Sequence, residues 1–161
     1  MKKTSIYLDT SVISYLDVKD TPEKMKQTLE LWDYILENKY KVYISTITLA
    51  EINKCPEPKR SFMLSKLREV SYIELKPRKG VTNLTLEYLS NQVLSKKSEI
   101  DLRHIAFAVV NKIDCIVSWN FKHFVNKKTT KKVNSINVLL GYKYVEIVSP
   151  AMIIGGDKNE K

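Results

Sequence analysis

Cysteine, glycine and proline are all scarce in this chain. Its 161 residues include two cysteines, four glycines and five prolines, and these low counts exclude collagen-like and low-complexity disordered proteins. Cys55 and Cys115 do not have the spacing of a metal site, and Cys115 lies in an apolar run that predicts a buried free thiol. Because unpaired thiols suit a reducing compartment, we expect a cytoplasmic protein.

Long hydrophobic runs are missing as well. No apolar stretch approaches the ~20 residues that a membrane-spanning helix needs, and the opening MKKTSIYLD lacks the apolar core of a signal peptide. We therefore predict no membrane partner. With 43% hydrophobic and 28% charged residues, the chain is typical of one globular domain. We place this domain at residues 1–150 and predict a polar tail over residues 151–161.

Acidic residues are outnumbered by basic ones. The chain has 27 Lys and Arg against 18 Asp and Glu, which gives a formal net charge of +9. Such an excess favours polyanionic partners, nucleic acid first, because binding releases their condensed counterions. A solvated lysine-rich surface would give the same charge, so the composition leaves both interpretations open.

Hydrophobic periodicity predicts strands that alternate with helices. Apolar residues recur at helical spacing after Ser98, and the run CIV at 115–117 follows, so a helix leads directly into a buried parallel strand. The other predicted strands are residues 4–8, 41–45 and 144–148, and residues 72–75 form either a short strand or an extended connection. This alternation predicts an α/β fold with three layers, in which helices cover both faces of a central parallel sheet.

Oxygen-bearing side chains follow the predicted strands. They are Asp9 after the first strand, Glu51 on the helix after the second, Asp101 in the first turn of the helix from Ser98, and Asn120 just past residues 115–117. Open α/β sheets place their ligand sites at the carboxyl ends of strands. Three carboxylates brought together there would repel one another unless a cation neutralised them, and oxygen ligands favour Mg²⁺ or Mn²⁺.

Each of these acids also has an ordinary structural explanation. Asp9 is a suitable N-cap for the helix that follows it, and Ser98-x-x-Asp101 has nearly the spacing of a capping box. An acid in the first turn of a helix gains about 0.3 to 1 kcal/mol from the helix dipole. A single Glu such as Glu51 usually faces solvent. Convergence of the acids on one point would favour the site over the caps.

The chain resembles the PIN-domain family of nucleases, which includes the toxins of many bacterial and archaeal toxin–antitoxin pairs. The matching segments occur in the family's order and are YLDTSVI around Asp9, TLAEI around Glu51, DLRHIAFAVVNKIDCIVSWNF around Asp101 and Asn120, and the closing YVEIVSP. The resemblance implies a Rossmann-like PIN fold and a Mg²⁺- or Mn²⁺-dependent endoribonuclease that hydrolyses RNA. The partners that it implies are RNA, a small antitoxin protein and a second copy of the chain in a homodimer.

The resemblance also implies a role for each site residue. Asp9, Glu51 and Asp101 would hold the metal as catalytic residues, with Asn120 in the fourth position. Ser11 and Ser118 would orient carboxylates or water around that metal. The family often has Asp where this chain has Asn120, which removes one negative charge and leaves the number of bound metals open.

Two histidines and a group of lysines lie close to these residues in the sequence. We expect His104 and His123 to have a structural or substrate-contact role, because a bound metal already supplies the activated water. His104 stands one turn after Asp101, so we expect its hydrogen bond there. We predict contacts between the nucleic acid and the lysines that follow Asn120, namely Lys122, Lys127 and Lys128, with Lys131 and Lys132 next to them.

Two other functions compete with the nuclease. A haloacid-dehalogenase-like phosphatase also places an Asp after its first strand, but it needs a second Asp two residues later, where this chain has Ser11. The alternative without catalysis is a PIN-like module that binds RNA or an antitoxin and holds metal weakly. Asn120 favours that alternative, and a metal titration would distinguish it from the enzyme.

Overall fold

The computed structural model is built around a five-stranded sheet in which every strand pair is parallel. It describes the backbone of residues 2–159 and the side chains of residues 2–156. The strands are β1 (Thr4–Leu8), β2 (Tyr40–Ser45), β3 (Tyr72–Leu75), β4 (Cys115–Val117) and β5 (Glu146–Val148). Their order across the sheet is β3-β2-β1-β4-β5, so β1 is central and β3 and β5 are the edges.

Helices separate the strands along the chain. They are α1 (Thr10–Ser14), α2 (Pro22–Leu36), α3 (Thr46–Asn53), α4 (Lys59–Leu67), α5 (Lys79–Ser90), α6 (Glu99–Val110), α7 (Lys127–Leu139) and α8 (Pro150–Asn159). Short 3-10 turns follow α1 at Tyr15–Asp17 and precede α6 at Lys96–Ser98. Among the described helices, none combines the length and the apolar character that crossing a membrane requires.

Side-chain alternation along the strands divides the core into two halves. Ile6 and Leu8 of β1 pack with α1, α2 and α4 on one face, whereas Tyr7 packs with α5, α6 and α7 on the other. Successive residues of a strand point to opposite faces, and a parallel sheet covered on both sides needs apolar residues at nearly every position. The predicted three-layer α/β/α fold is therefore confirmed.

The strand order creates a crevice beside the central strand. The chain runs from β1 outward to β2 and β3 on one side, and then returns to place β4 and β5 on the other side of β1. Neighbouring strands whose connections leave in opposite directions open a gap at their carboxyl ends, where α/β proteins bind ligands. The backbone N–H of Asp9 donates to the carbonyl of Val117 at 3.1 Å, which places Asp9 at this gap.

Local predictions agree with the structure except at the C-terminal end. Residues 72–75 form a true strand, Cys115 is a buried free thiol, and the last strand begins at Glu146 instead of residue 144. The polar tail predicted over residues 151–161 is wrong in its first part, because α8 packs against α2 and buries Ile154. In α8, burial of the apolar residues favours helix packing more than the polar residues after them oppose it. The end of that predicted tail, residues 160 and 161, lies outside the described residues.

Candidate metal centre

Asp9 lies in the crevice between β1 and β4 and is 7% exposed. It directly precedes α1, but its side chain accepts no capping hydrogen bond from the backbone N–H groups at the start of that helix, so it is not the side-chain cap that the alternative required. Its Oδ2 accepts hydrogen bonds from Ser11 Oγ at 2.7 Å and from Ser118 Oγ at 2.8 Å. Two hydroxyl groups therefore stabilise the negative charge through one oxygen of the carboxylate.

Both serines are themselves fixed by the backbone after β4. The N–H of Trp119 donates to Ser11 Oγ at 2.9 Å, and the N–H of Asn120 donates to Ser118 Oγ at 3.0 Å. Since each hydroxyl already accepts a hydrogen bond, its own proton is directed at Asp9. Both serines thus contact the Asp9 carboxylate.

Glu51 reaches the same crevice from α3. Ser45 caps this helix by accepting hydrogen bonds from the N–H groups of Ile47 and Thr48, which starts α3 directly at the end of β2. Glu51 Oε1 accepts hydrogen bonds from Thr10 Oγ1 at 2.6 Å and from His104 Nε2 at 2.7 Å. The second oxygen, Oε2, accepts none from the described residues.

The hydrogen bonds keep Glu51 ionised. Burial alone would raise its pKa, but the hydrogen bond and charge of His104, together with the Thr10 hydroxyl, hold the pKa of Glu51 below its usual value. The carboxylate is half-buried and carries its charge at neutral pH. It is not the solvent-facing glutamate of the alternative explanation.

His104 connects Glu51 to the buried part of the sheet. Its Nε2 faces Glu51, and its Nδ1 lies 2.5 Å from the hydroxyl of Tyr7, which in turn lies 2.7 Å from Ser45 Oγ. Burial by itself would lower the pKa of His104, but the Glu51 hydrogen bond and the nearby carboxylates raise it above the ordinary value. We expected its hydrogen bond near Asp101; the structure shows that its partner is Glu51.

Asp101 is half-buried in the first turn of α6. The predicted capping box is absent, because the Ser98 side chain makes no capping hydrogen bond and instead lies 3.3 Å from His123 Nδ1. Burial, followed by the negative charge of Asp9, raises the pKa of Asp101, while His123 and His104 act in the opposite direction. Asp101 accepts no hydrogen bond from the described residues, so its charge is the least compensated of the three.

Asn120 lies at the edge of this group. Its Oδ1 accepts a hydrogen bond from the N–H of His123 at 3.0 Å, and its own N–H contacts Ser118, which contacts Asp9. One lone pair of Oδ1 is thereby occupied and one is left. The structure brings Asn120 within two hydrogen bonds of Asp9 but shows no direct contact with a site carboxylate.

The arrangement fits a cation with oxygen ligands. Ligand atoms of Asp9, Glu51 and His104 all lie within 4.8 Å of one another, so this group could hold a metal ion. Both ring nitrogens of His104 are already engaged, by Tyr7 and by Glu51. The oxygens of Asp9 and Glu51 that accept no hydrogen bond from described residues are therefore the better donors. Asp101 does not belong to the group within 4.8 Å.

Three contacts of this site were missed at the level of sequence. Thr10 contacts Glu51, Tyr7 contacts His104, and Ser45 contacts Tyr7. None of these contacts was predicted. Tyr7 did carry a signal, because residues two apart in an extended strand point to the same face, and Asp9 is two residues away. A tyrosine hydroxyl in an otherwise apolar strand also needs a partner.

The lysines predicted to contact nucleic acid, Lys122, Lys127 and Lys128, are exposed but do not line the same groove. Lys122 and Lys128 line a groove of about 980 Å³ beside His123. Lys127 lines a second, more apolar groove on the other side of α7. This difference between Lys127 and its two neighbours was not predicted from the sequence.

We expect Asp101→Asn to stabilise the metal-free protein at pH 7, by up to about 1 kcal/mol because the residue is only half-buried. An acid whose folded pKa is raised costs stability as pH rises through the ordinary aspartate value of about 3.9 towards the raised one. The gain should therefore be full at pH 7 and absent at pH 3. Urea unfolding in EDTA at both pH values measures it.

The exposed Asp20→Asn is the matched control, and its stability should equal that of the parent protein. The capping explanation makes the opposite prediction for Asp101→Asn. If the helix dipole dominated, loss of the charge would destabilise α6 by about 0.3 to 1 kcal/mol at pH 7.

Comparison with known proteins gives a match in structure but not in sequence. No protein-family model and no curated protein matches the chain. Among solved structures, the crystal structure of VapBC2 from Rickettsia felis bound to a DNA fragment from their promoter matches with a TM-score of 0.55. The match has 18% sequence identity and covers 91% of this chain and 98% of that chain. The chain therefore has the fold of this neighbour, in agreement with the PIN fold that its sequence motifs imply.

Proposed function

We propose that this chain is a Mg²⁺- or Mn²⁺-dependent ribonuclease that hydrolyses RNA phosphodiester bonds. One observation carries the proposal: Asp9 and Glu51, from separate elements, place ligand atoms within 4.8 Å of one another in one crevice, and Asp101 of a third element lies close enough that Asp9, together with burial, raises its pKa. Burying like charges together costs stability unless a cation compensates them. A protein that merely needed helix caps would have no reason to bring them together.

In this proposal, Asp9, Glu51 and Asp101 hold the cation and Asn120 occupies the fourth position. A divalent cation bound there would stabilise the transition-state charge on the phosphodiester and lower the pKa of its bound water. The serines fix Oδ2 of Asp9, and His104 with Thr10 fixes Oε1 of Glu51. These bonds leave Oδ1 of Asp9 and Oε2 of Glu51 without hydrogen bonds from described residues, so both oxygens are available to a cation.

The fold and the charge support the same function. The structural neighbour is a VapBC assembly, a toxin–antitoxin complex, and we propose that this chain is the toxin of such a pair, with a small antitoxin as partner. The net charge of +9 suits an RNA substrate. A homodimer and a cytoplasmic location complete the proposal.

The second candidate is a catalytically weak module that binds RNA or an antitoxin. The observation that favours it is the Asn120 side chain, which brings no charge to the site and already accepts a hydrogen bond from His123. With three carboxylates in place of four, affinity for the cation would be lower. Calorimetric titration with Mn²⁺ distinguishes the candidates, because only the enzyme needs binding at physiological metal concentrations.

We predict that cleavage of labelled single-stranded RNA requires Mg²⁺ or Mn²⁺ and stops in EDTA. The isosteric variants Asp9→Asn, Glu51→Gln and Asp101→Asn should each lower the cleavage rate by at least about 100-fold, since even indirect supports of metal sites cost 10- to 100-fold. Asp20→Asn, purified in the same way, should cleave at the parent rate and thereby excludes contaminating nucleases. Cleavage that continues in EDTA, or in all three variants, would contradict the proposal.

We also predict that Asn120→Asp tightens Mn²⁺ binding. One carboxylate oxygen can keep the hydrogen bond from His123, and the other brings a negative charge to the site. In EDTA the same variant should melt at a lower temperature than the parent, because a further negative charge lies near three others. Calorimetry and melting curves measure the two effects. Unchanged metal affinity together with an unchanged melting temperature would show that residue 120 does not face the carboxylates.

A further inference from the structure

A basic groove runs beside the candidate metal centre. It lies between the segment that joins α5 to α6 and the first turns of α7, and its volume is about 980 Å³. Its charged side chains are four lysines, Lys96, Lys122, Lys128 and Lys132, and the His123 ring also lines it. No acidic residue of the described chain lines it. We call this feature the lysine groove.

We propose that the lysine groove binds the backbone of single-stranded RNA and leads the strand to the metal centre. This inference rests on the proposed ribonuclease function and adds to it the path of the substrate. Three features support this path: the lysines without described acidic partners, the aromatic ring at the groove, and the contacts that join the groove to the carboxylates.

The four lysines have no acidic partners. None of them forms an ion pair with a described acid. Among the described residues, their ammonium groups make one hydrogen bond, from Lys132 to the carbonyl of Gln92 at 3.4 Å. Like charges that face one groove repel one another and attract a polyanion. Phosphate groups on a flexible strand can adapt to cations that come from three different segments of the chain.

The groove also offers surfaces on which bases can stack. Phe121 is 46% exposed and lines both this groove and the apolar groove on the other side of α7. The His123 ring, Val93 and Leu94 also line the lysine groove. Single-stranded nucleic acids expose their base faces, whereas a duplex hides them within its stack. The combination of lysines with an exposed aromatic ring therefore favours a single strand over a duplex.

His123 joins the groove to the metal centre. Its ring lines the groove, and its Nδ1 lies 3.3 Å from Ser98 Oγ, directly before α6, whose first turn carries Asp101. Its backbone N–H donates to Asn120 at 3.0 Å. A strand in the groove would thus reach the carboxylates at the His123 end.

Helix α7 supplies a matched control. Its four lysines form two pairs at the same spacing: Lys128 and Lys132 line the lysine groove, whereas Lys127 and Lys131 line the apolar groove on the other side. Residues four apart lie on one face of a helix. Each pair contributes two positive charges, so neutralising either one changes the net charge equally.

The test compares the double variants Lys128→Gln with Lys132→Gln and Lys127→Gln with Lys131→Gln. Binding of fluorescein-labelled single-stranded RNA is measured by anisotropy in EDTA across a salt series, so that metal and cleavage play no part. Loss of two phosphate contacts should flatten the slope of log affinity against log salt by about 1.4. At 0.1 M salt this corresponds to about a 25-fold loss of affinity. The Lys127 and Lys131 variant should keep the parent slope.

A third double variant, Lys96→Gln with Lys122→Gln, changes the same groove without altering α7 and should flatten the slope to a similar extent. Melting curves check that all variants fold. Equal slopes for the two α7 variants, or tighter binding of duplex than of single-stranded RNA, would overturn the groove proposal. Cleavage of RNA together with equal slopes would overturn the groove alone. Groove-dependent binding without metal-dependent cleavage would overturn the ribonuclease and leave the groove.

Discussion

Repulsion between negative charges held in one crevice is the constraint on which the rest of this site depends. Asp9 follows the carboxyl end of β1, Glu51 lies on the helix that follows β2, and Asp101 lies in the first turn of α6. Hydroxyl and imidazole donors stabilise one oxygen of Asp9 and one of Glu51, and no described donor reaches Asp101. The site is therefore only partly compensated by the protein itself, and a cation would complete it.

The hydrogen bonds that support the carboxylates extend well into the core. Ser45 starts α3 and contacts the Tyr7 hydroxyl, which contacts His104, which contacts Glu51. Ser45, Tyr7 and His104 are buried, so removing one of these partners would leave an unsatisfied polar atom at a cost of about 1 to 3 kcal/mol. The same bonds that hold the sheet to α6 thus fix the position of a candidate metal ligand.

The sequence was sufficient for the order of elements and for the acids at the strand ends. Strand periods and helix starts are local, and the rule that ligands bind at carboxyl ends needs only a parallel sheet. The partner of His104 could not be predicted in the same way, because Glu51 is 53 residues away and the contact depends on how α3 and α6 pack. Likewise, the burial of Val133 and Ile136 sets the rotation of α7 about its axis. This rotation places Lys127 and Lys128 at different grooves. Helix α8 was missed because a short apolar stretch before polar residues has no helical period of its own.

The most direct test of this account is an anomalous difference map from crystals grown with Mn²⁺. We expect a strong peak in the crevice between β1 and β4, about 2 Å from carboxylate oxygens of Asp9 and Glu51. The peak should disappear in crystals of the Asp101→Asn variant or weaken strongly there. A crevice without a peak at saturating Mn²⁺, or a peak held by other residues, would contradict the claim that these carboxylates converge to bind a metal.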